Sequence, residues 1–297
     1  MTMTIRAHAP AKLNLTLAVT GRRMDGYHLL DSIVTFTEYG DEVRVAAAGE
    51  LSLEVAGPFA DRLDGPIDGN LVWRAASLLA DRVGGKPGAR ITLTKNLPVA
   101  SGIGGGSSDA AATLRALAAL WQVDLPPAEL ARIGLALGAD VPVCLEGTAA
   151  RLQGIGEIVT PLPALPPVPV VLVNPLIGLA TPPVFKARSG PFSPGGDILS
   201  KPPGDAAALA HALAPYGNDL TAAATGLLPV IGRILAHLRQ TEACLLARMS
   251  GSGATCFALY AEDSEAKAAA SAMRRTEPGW WAVATRLASG PPSIQAL

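Results

Sequence analysis

The chain has 297 residues, enough for one large domain or two ordinary ones. Hydrophobic residues make up 49% and charged ones 16%, so a sizeable core can form and disorder is not expected. The net charge of −1, with no basic run, argues against a general nucleic-acid binder, so an anionic ligand must be held by local features.

In chain order, a short strand is expected at residues 5–9. A second follows at 10–19, where Leu13, Leu15, Leu17 and Val19 alternate. A polar stretch with Arg22, Arg23 and Asp25-Gly26 separates them from strands at 33–36 and 42–45. Residues 70–81 read as a helix with Leu71, Ala75, Leu78 and Leu79 on one face. Ile91 and Leu93 alternate in a strand that leads into a glycine-rich stretch. Beyond it Leu114, Leu117, Ala118 and Trp121 recur at the spacing of one buried helix face. A shorter helix at 127–137, ended by Gly138, runs into Ala139-Asp140-Val141-Pro142.

Pro161, Pro163, Pro166, Pro167 and Pro169 then crowd a short interval that cannot continue regular structure. The domain boundary is placed there, giving domains 1–162 and 163–297. The second half is expected to hold a strand at 170–173, a Pro/Gly-rich surface loop at 188–203 and helices at 206–213 and 219–239. A strand at 243–248, Gly251-Ser252-Gly253, a strand at 255–260, a helix at 264–275 and a strand at 281–287 complete it. That alternation suggests an α+β sandwich of the split βαβ type.

The cysteines, Cys144, Cys244 and Cys256, are far apart and form no C-x-x-C, which fits a reduced compartment better than a disulfide framework or zinc site. Residues 1–8 carry no apolar signal-peptide core, and no apolar run is long enough to span a bilayer. A cytoplasmic protein is expected, with no membrane or nucleic-acid partner.

The segment Pro98-Val99-Ala100-Ser101-Gly102-Ile103-Gly104-Gly105-Gly106-Ser107-Ser108-Asp109 holds the strongest signal. Its glycines free the backbone for left-handed torsions and close approach to a ligand. Unpaired N–H groups at the start of the following helix, backed by the macrodipole, make an anion site. It is neither a Walker A loop, because Gly-Lys-Ser/Thr is absent, nor a dinucleotide fingerprint, because the third glycine position counted from Gly102 is Ser107. The protein-kinase signatures are absent too. A phosphate site is favoured over a merely well-capped turn, because so many glycines cost chain entropy.

Three segments stand together: Pro10-Ala11-Lys12-Leu13-Asn14, the glycine stretch, and Ser250-Gly251-Ser252-Gly253-Ala254-Thr255. In this order and spacing they resemble the GHMP kinase superfamily. Asp25-Gly26-Tyr27-His28, Tyr39-Gly40-Asp41, Leu137-Gly138-Ala139-Asp140-Val141-Pro142, Thr181-Pro182 with Phe185-Lys186, and Asn218-Asp219-Leu220 narrow the likeness to its branch acting on a cytidyl diphosphate methylerythritol. The resemblance implies a two-domain fold: a ribosomal protein S5 domain 2-like N-terminal domain and a ferredoxin-like split βαβ C-terminal domain. It also implies transfer of the ATP γ-phosphoryl group, with Mg2+, to the 2-hydroxyl of that small molecule in the non-mevalonate route to isoprenoid precursors. A monomer or homodimer fits it.

By the same resemblance Asp140 is the general base and Lys12 its assistant. On the residues alone, Asp140 is equally a turn carboxylate and Lys12 an exposed strand lysine. Pro98 through Ser108 in the glycine stretch, with Asn70, Leu71 and Lys95, are expected to bind ATP, although a solvated Lys95 is an equal alternative. Asn14 shares a strand face with Lys12 and is assigned to substrate. Tyr27 and His28 would read the cytosine ring, with Thr181, Pro182 and Phe185 completing its pocket. Gly251, Ser252 and Gly253 would back the substrate phosphates, unless they are an ordinary hairpin turn. Ser107 is the candidate metal ligand, a hard oxygen suited to Mg2+. Asp109 is assigned to the helix dipole, and Ser101 is expected to point outward. The competing functions are another GHMP kinase acting on mevalonate or homoserine, a nucleotide-binding regulator without catalysis, and a dehydrogenase.

Overall fold

The computed structural model describes residues 3–63, 65–84, 87–196, 198–199 and 201–297. The first half runs β1 (Thr4–Asn14), β2 (Ala18–Arg22), β3 (His28–Ala48), β4 (Leu51–Ala56), α1 (Leu71–Val83), β5 (Gly88–Thr94), α2 (Gly105–Leu120), α3 (Pro127–Leu137), α4 (Val141–Glu146), β6 (Ala150–Gly154) and β7 (Ile158–Pro161). The second runs β8 (Pro169–Asn174), α5 (Thr181–Ala187), α6 (Ala206–Leu213), α7 (Thr221–Leu227), α8 (Val230–Gln240), β9 (Leu246–Met249), β10 (Cys256–Leu259), α9 (Asp263–Thr276), β11 (Trp281–Arg286) and β12 (Ile294–Ala296).

The larger sheet has the order β12-β1-β3-β5-β4, with β2 and β6 also on β3 and β7 on β6. β3 can serve so many neighbours because it is 21 residues long. It pairs β6 over Leu30–Val34 and β5 over Glu42–Ala48. The strands expected separately at 33–36 and 42–45 are thus one. The strand expected at 5–9 and the first part of that expected at 10–19 are also one, joined across a register shift between Pro10 and Lys12 where proline has no N–H to give the ladder; the expected 10–19 strand is broken after Asn14 and its end falls in β2. That shift turns the Lys12 N–H out of the sheet to the Ile103 carbonyl in the glycine stretch (2.9 Å). The smaller sheet, β11-β8-β10-β9, is antiparallel throughout.

Three clusters of buried side chains hold these layers. One packs α1, α2, α3 and α4 on the larger sheet, with Val72, Leu79, Leu114 and Leu117 inside it. A second packs α8 and α9 on the smaller sheet. The third lies between the sheets: Leu13, Leu15 and Ile33 from the first half meet Leu172, Phe257 and Leu287 from the second. The halves therefore share a core, and β12 returns to pair with β1.

Several expectations shift in detail. The helix foreseen at 219–239 is two helices, because Pro229 lacks an N–H and its ring crowds the preceding turn. Pairing in β9 starts only at Leu246, since Ala243 sits at φ 59°. In α1 the buried face is Val72, Ala75, Ala76, Leu79 and Ala80, so Leu78 turns outward. The 188–203 stretch forms no helix or strand among its described residues, but Ile198 and Leu199 are buried rather than surface. Residues 197 and 200 of that stretch lie outside the described residues. No described helix is long and apolar enough to cross a membrane.

Candidate active site

A cleft of about 1500 Å³ opens at the seam between the halves. Its floor is the glycine stretch, whose Gly105 and Gly106 already belong to α2. Gly104, at φ 64°, precedes the helix and no side chain caps it. Ser108 donates its N–H to the Gly104 carbonyl. The amides of Gly105, Gly106 and Ser107 precede the first intrahelical bond and stand where an anion is stabilised by N–H groups and the helix dipole. Gly102, at φ 74°, is packed so closely on the 250–253 turn that a Cβ would lie 2.4 Å from the Gly253 carbonyl oxygen.

Lys12 rises from β1 against this floor. A Cβ at Gly104 would stand 3.1 Å from the Lys12 Cβ. The Lys12 ammonium meets Asp140 Oδ2 at 2.7 Å, the lysine nearly buried and the aspartate 41% exposed. Asp140 holds a helical backbone torsion at the start of α4, with Pro142 in its first turn, so it opens a helix instead of sitting in a free turn. The pair presents a carboxylate oxygen to the cleft beside a fixed positive charge, an arrangement that can take a proton from a hydroxyl and offset the charge that develops.

Lys95 is not solvated. It is buried, with its ammonium 2.5 Å from Asp41 Oδ2 and 2.8 Å from Asp109 Oδ2. Burial works to lower its pKa, but the two carboxylates outweigh that and raise it. Burial pushes the Asp109 carboxyl well above its ordinary range, with Lys95 opposing and Asp41 adding to the rise. Asp41 Oδ1 also accepts the Asn96 (2.5 Å) and Leu97 (2.8 Å) N–H groups, just before the glycine stretch. Asp109 is therefore a network partner under the first turn of α2 rather than a simple dipole charge. Lys95 still lines the cleft.

At the other end His28 stacks on Phe185, with ring centroids 5.2 Å apart and planes 29° from parallel. Burial lowers the His28 pKa, and the charges of Arg22 and Arg188 lower it further. Tyr27 is 62% exposed beside them, and Thr181, Pro182, Lys186 and Arg188 line the same wall. The Thr181 and Ser252 hydroxyls lie 2.9 Å apart. Asn14 donates Nδ2 to Ser32 Oγ (2.8 Å), and Asn70 Oδ1 caps α1 through the Val72 N–H (2.9 Å).

The expected site residues thus share one cleft: Lys12, Asn14, Tyr27, His28, Asn70, Leu71, Lys95, Pro98, Val99, Ala100, Ser101, Gly102, Gly104, Gly105, Gly106, Ser107, Asp140, Thr181, Pro182, Phe185, Gly251 and Ser252 all line it. Three do not. The Ser108 hydroxyl donates to Cys144 Sγ (3.5 Å) and its N–H is spent in α2, so it faces the core and not a phosphate. Ile103 is a core side chain. Gly253 backs the floor from behind, its N–H on the Ser250 carbonyl. Ser101 also turns inward, its hydroxyl on the Pro98 carbonyl (2.6 Å).

Sequence reasoning gave no role to Asp41, which no local pattern ties to Lys95, 54 positions away. It also gave none to Ser250, whose hydroxyl links the Asn14 N–H (3.1 Å) to the Gly102 carbonyl (3.0 Å). Among the described residues no cluster of three His, Cys, Asp or Glu side chains could hold a metal alone. Oxygen donors lining the cleft around the start of α2 include the Ser107 hydroxyl and the Asp109 and Asp140 carboxylates, and Asp109 Oδ1 has no hydrogen-bond partner.

Residues 70–148 match the GHMP kinases N terminal domain and residues 198–279 the GHMP kinases C terminal domain. A 4-diphosphocytidyl-2-C-methyl-D-erythritol kinase of Paramagnetospirillum magneticum is 56% identical, over 95% of this chain and 98% of its own. A crystal structure of 4-(cytidine 5'-diphospho)-2C-methyl-D-erythritol kinase superposes with a TM-score of 0.80 at 36% identity, over 96% of this chain and all of the other. The homoserine kinase of Cytophaga hutchinsonii, at 16% identity and a TM-score of 0.76 over 99% and 97% of the two chains, shares the fold. The chain therefore belongs to the GHMP kinases, a family of ATP-dependent enzymes, and within them to the family of 4-diphosphocytidyl-2-C-methyl-D-erythritol kinases.

Proposed function

We propose that the chain transfers the ATP γ-phosphoryl group to the 2-hydroxyl of 4-diphosphocytidyl-2-C-methyl-D-erythritol, in the non-mevalonate supply of isoprenoid precursors. The observation that carries this reading is the 2.7 Å Lys12–Asp140 pair in one cleft with both the open N-terminus of α2 and the His28–Phe185 stack. The helix end suits a triphosphate tail, and the stack suits a heterocycle. The relatives' names supply the cytidyl alcohol. The two halves, meeting near residues 162 and 163, would supply the nucleotide wall and much of the acceptor wall.

In this mechanism the amides of Gly105, Gly106 and Ser107 hold phosphate oxygens of ATP, with Asn70 and Leu71 toward its nucleoside and Lys95, beside Gly105, at the phosphate end. Asp140 takes the proton of the acceptor hydroxyl. The freed oxygen attacks the γ-phosphorus as the bond to the β-phosphate oxygen breaks, and the leaving electron pair stays on ADP. Lys12 offsets the charge on the attacking oxygen and holds the carboxylate on line. Mg2+ fits the hard donors here, with the Ser107 hydroxyl as its protein ligand, and when bound it neutralises phosphate charge. His28, kept neutral by burial and its arginine neighbours, meets the polar edge of cytosine while Tyr27 covers its face.

The test is an ADP-release assay with ATP, Mg2+ and a panel of alcohols. Turnover of the cytidyl alcohol, with none of mevalonate or homoserine, is expected. Turnover of mevalonate or homoserine alone would overturn the reading.

A further inference from the structure

Asp219 does not line the cleft, yet contacts from both halves converge on it. Its Oδ2 accepts the Val19 N–H (2.7 Å) and its Oδ1 accepts the Ser193 hydroxyl (3.0 Å). Arg188 Nη2 stands 3.8 Å from Oδ2, and the Asp219 N–H donates to the Leu17 carbonyl (2.9 Å). Val19 is held at both ends, because its carbonyl accepts the Ser193 N–H (3.0 Å).

Arg188 lies three residues from Phe185, and Val19 is tied to His28 through strand pairing. β2 turns back through a hairpin into β3, pairing Val19 with Leu30 and Arg22 with His28. On the other side Arg188 closes α5, its N–H on the Val184 carbonyl (3.1 Å), and α5 carries Phe185. The Arg188 guanidinium also binds the Gly190 and Pro191 carbonyls and lies 5.1 Å from the Phe192 ring centre. A closed circuit results: His28, the β2–β3 hairpin, Val19, Asp219, Arg188, α5, Phe185, and back to His28. The ring stack joins two half-buried side chains that line the cleft, and its register is set by the rest of the circuit. A short, charged acceptor serving several donors is well suited to fix such a register.

The geometry points to Asp219 as the positioning residue that holds the His28–Phe185 pair in register across the two halves, and so sets the site's affinity for a heterocyclic nucleotide acceptor. The affinity part rests on the acceptor reading above; the register part does not. Asp219 touches neither substrate, so it acts on acceptor binding and leaves the ATP site and the phosphoryl-transfer step alone.

The experiment uses the full-length protein with no ligand first. Ring-proton resonances of His28 are displaced by the facing Phe185 ring, so NMR reports the stack directly. In Asp219→Ala these resonances should move toward those of a solvent-exposed histidine. CDP, as the probe, should bind about tenfold more weakly, the scale of one or two lost hydrogen bonds, while a non-hydrolysable ATP analogue binds within about twofold of the parent. Asp219→Asn, which can still accept from Val19, should restore most of both readouts. If Asp219→Ala does not fold, Ser193→Ala removes one partner without changing the charges around His28 and should shift the His28 resonances. Unchanged His28 resonances in the folded variants, or equal weakening of CDP and the ATP analogue, would overturn the proposal. Moved resonances in a protein that never binds CDP would remove the acceptor reading and leave the positioning role standing.

Discussion

At the residue scale the proposed chemistry rests on the Lys12–Asp140 pair. A general base contributes about 10²–10⁴ in rate, so Asp140→Asn should cut kcat by at least about 10²-fold. The amide keeps the shape and removes the basic oxygen, so ATP affinity should hold; single-turnover rates beside ATP binding check this. His28 gives a pH dependence whose sign follows from its lowered pKa. The imidazole is neutral above the ordinary histidine value of 6.5 and stays so somewhat below it, since burial and then Arg22 and Arg188 disfavour its charge. The acceptor KM should therefore be flat above that pH and rise only as pH falls through the lowered pKa, where the ring gains a proton. His28→Gln should abolish the rise. Both residues were legible as motif members because each lies in a short, recognisable block. The Asp41–Lys95–Asp109 network was not legible: its members lie 54 and 14 positions apart, and burial, which gives it meaning, is a property of the fold.

At the level of elements the floor of the cleft is two glycine turns pressed backbone to backbone. Thr255 donates its N–H to the Ser101 carbonyl (3.1 Å), and Gly102 faces the Ser250 and Gly253 carbonyls at distances no Cβ survives. Gly102→Ala would strain a left-handed residue by about 1–2 kcal/mol before any clash. Because the clash is with backbone, the two turns must part. The melting temperature should fall by about 2–4 °C per kcal/mol lost, and the ATP KM should rise at least about tenfold as the amides lose alignment. Calorimetry and initial rates check both, and a variant with normal ATP KM would show that the turns can separate at no cost to binding. The glycines were legible because their conformational demand is local. The strand around Ile91 was legible by period, since alternate residues are buried, and α2 by the Leu114–Leu117 spacing although it is buried nearly all round; β8 is buried along its whole length, so no period marks it. β6, β7, α4 and α5 were not legible. β7 is four residues with no buried position and no alternation, whereas β4 alternates Leu51, Leu53 and Val55 with Ser52 and Glu54 and was passed over; none of its residues is fully buried. α4 and α5 are 6 and 7 residues long, too short to show a helical repeat. They nevertheless carry Asp140 at the start of one and Phe185 in the other.

For the whole molecule, the question is whether a cleft made by two halves can open and close while the halves remain one folding unit. The inter-sheet core says they are one. Phe257, fully buried, lies in a cluster with Leu13 and Leu15 of β1 as well as Leu172 of β8. Removing either half would expose that cluster, and β12 would lose its place beside β1. Truncating a buried Phe costs about 3–5 kcal/mol, so Phe257→Ala should lower the stability of both halves together. Trp121 sits beside the first core and Trp280 within the second, so variants keeping one or the other report each half separately by fluorescence. Their thermal midpoints should coincide in the parent and fall by the same amount in Phe257→Ala, with calorimetric and van't Hoff enthalpies equal. A ligand that binds only the folded cleft then stabilises the single transition, so an ATP analogue should raise both midpoints alike even though the proposed phosphate site is on α2 of the first half. Midpoints that separate, or an ATP analogue that moves Trp121 alone, would mean the halves fold independently and meet only through the cleft. The floor of the site would then owe its shape to ligand rather than to the shared core.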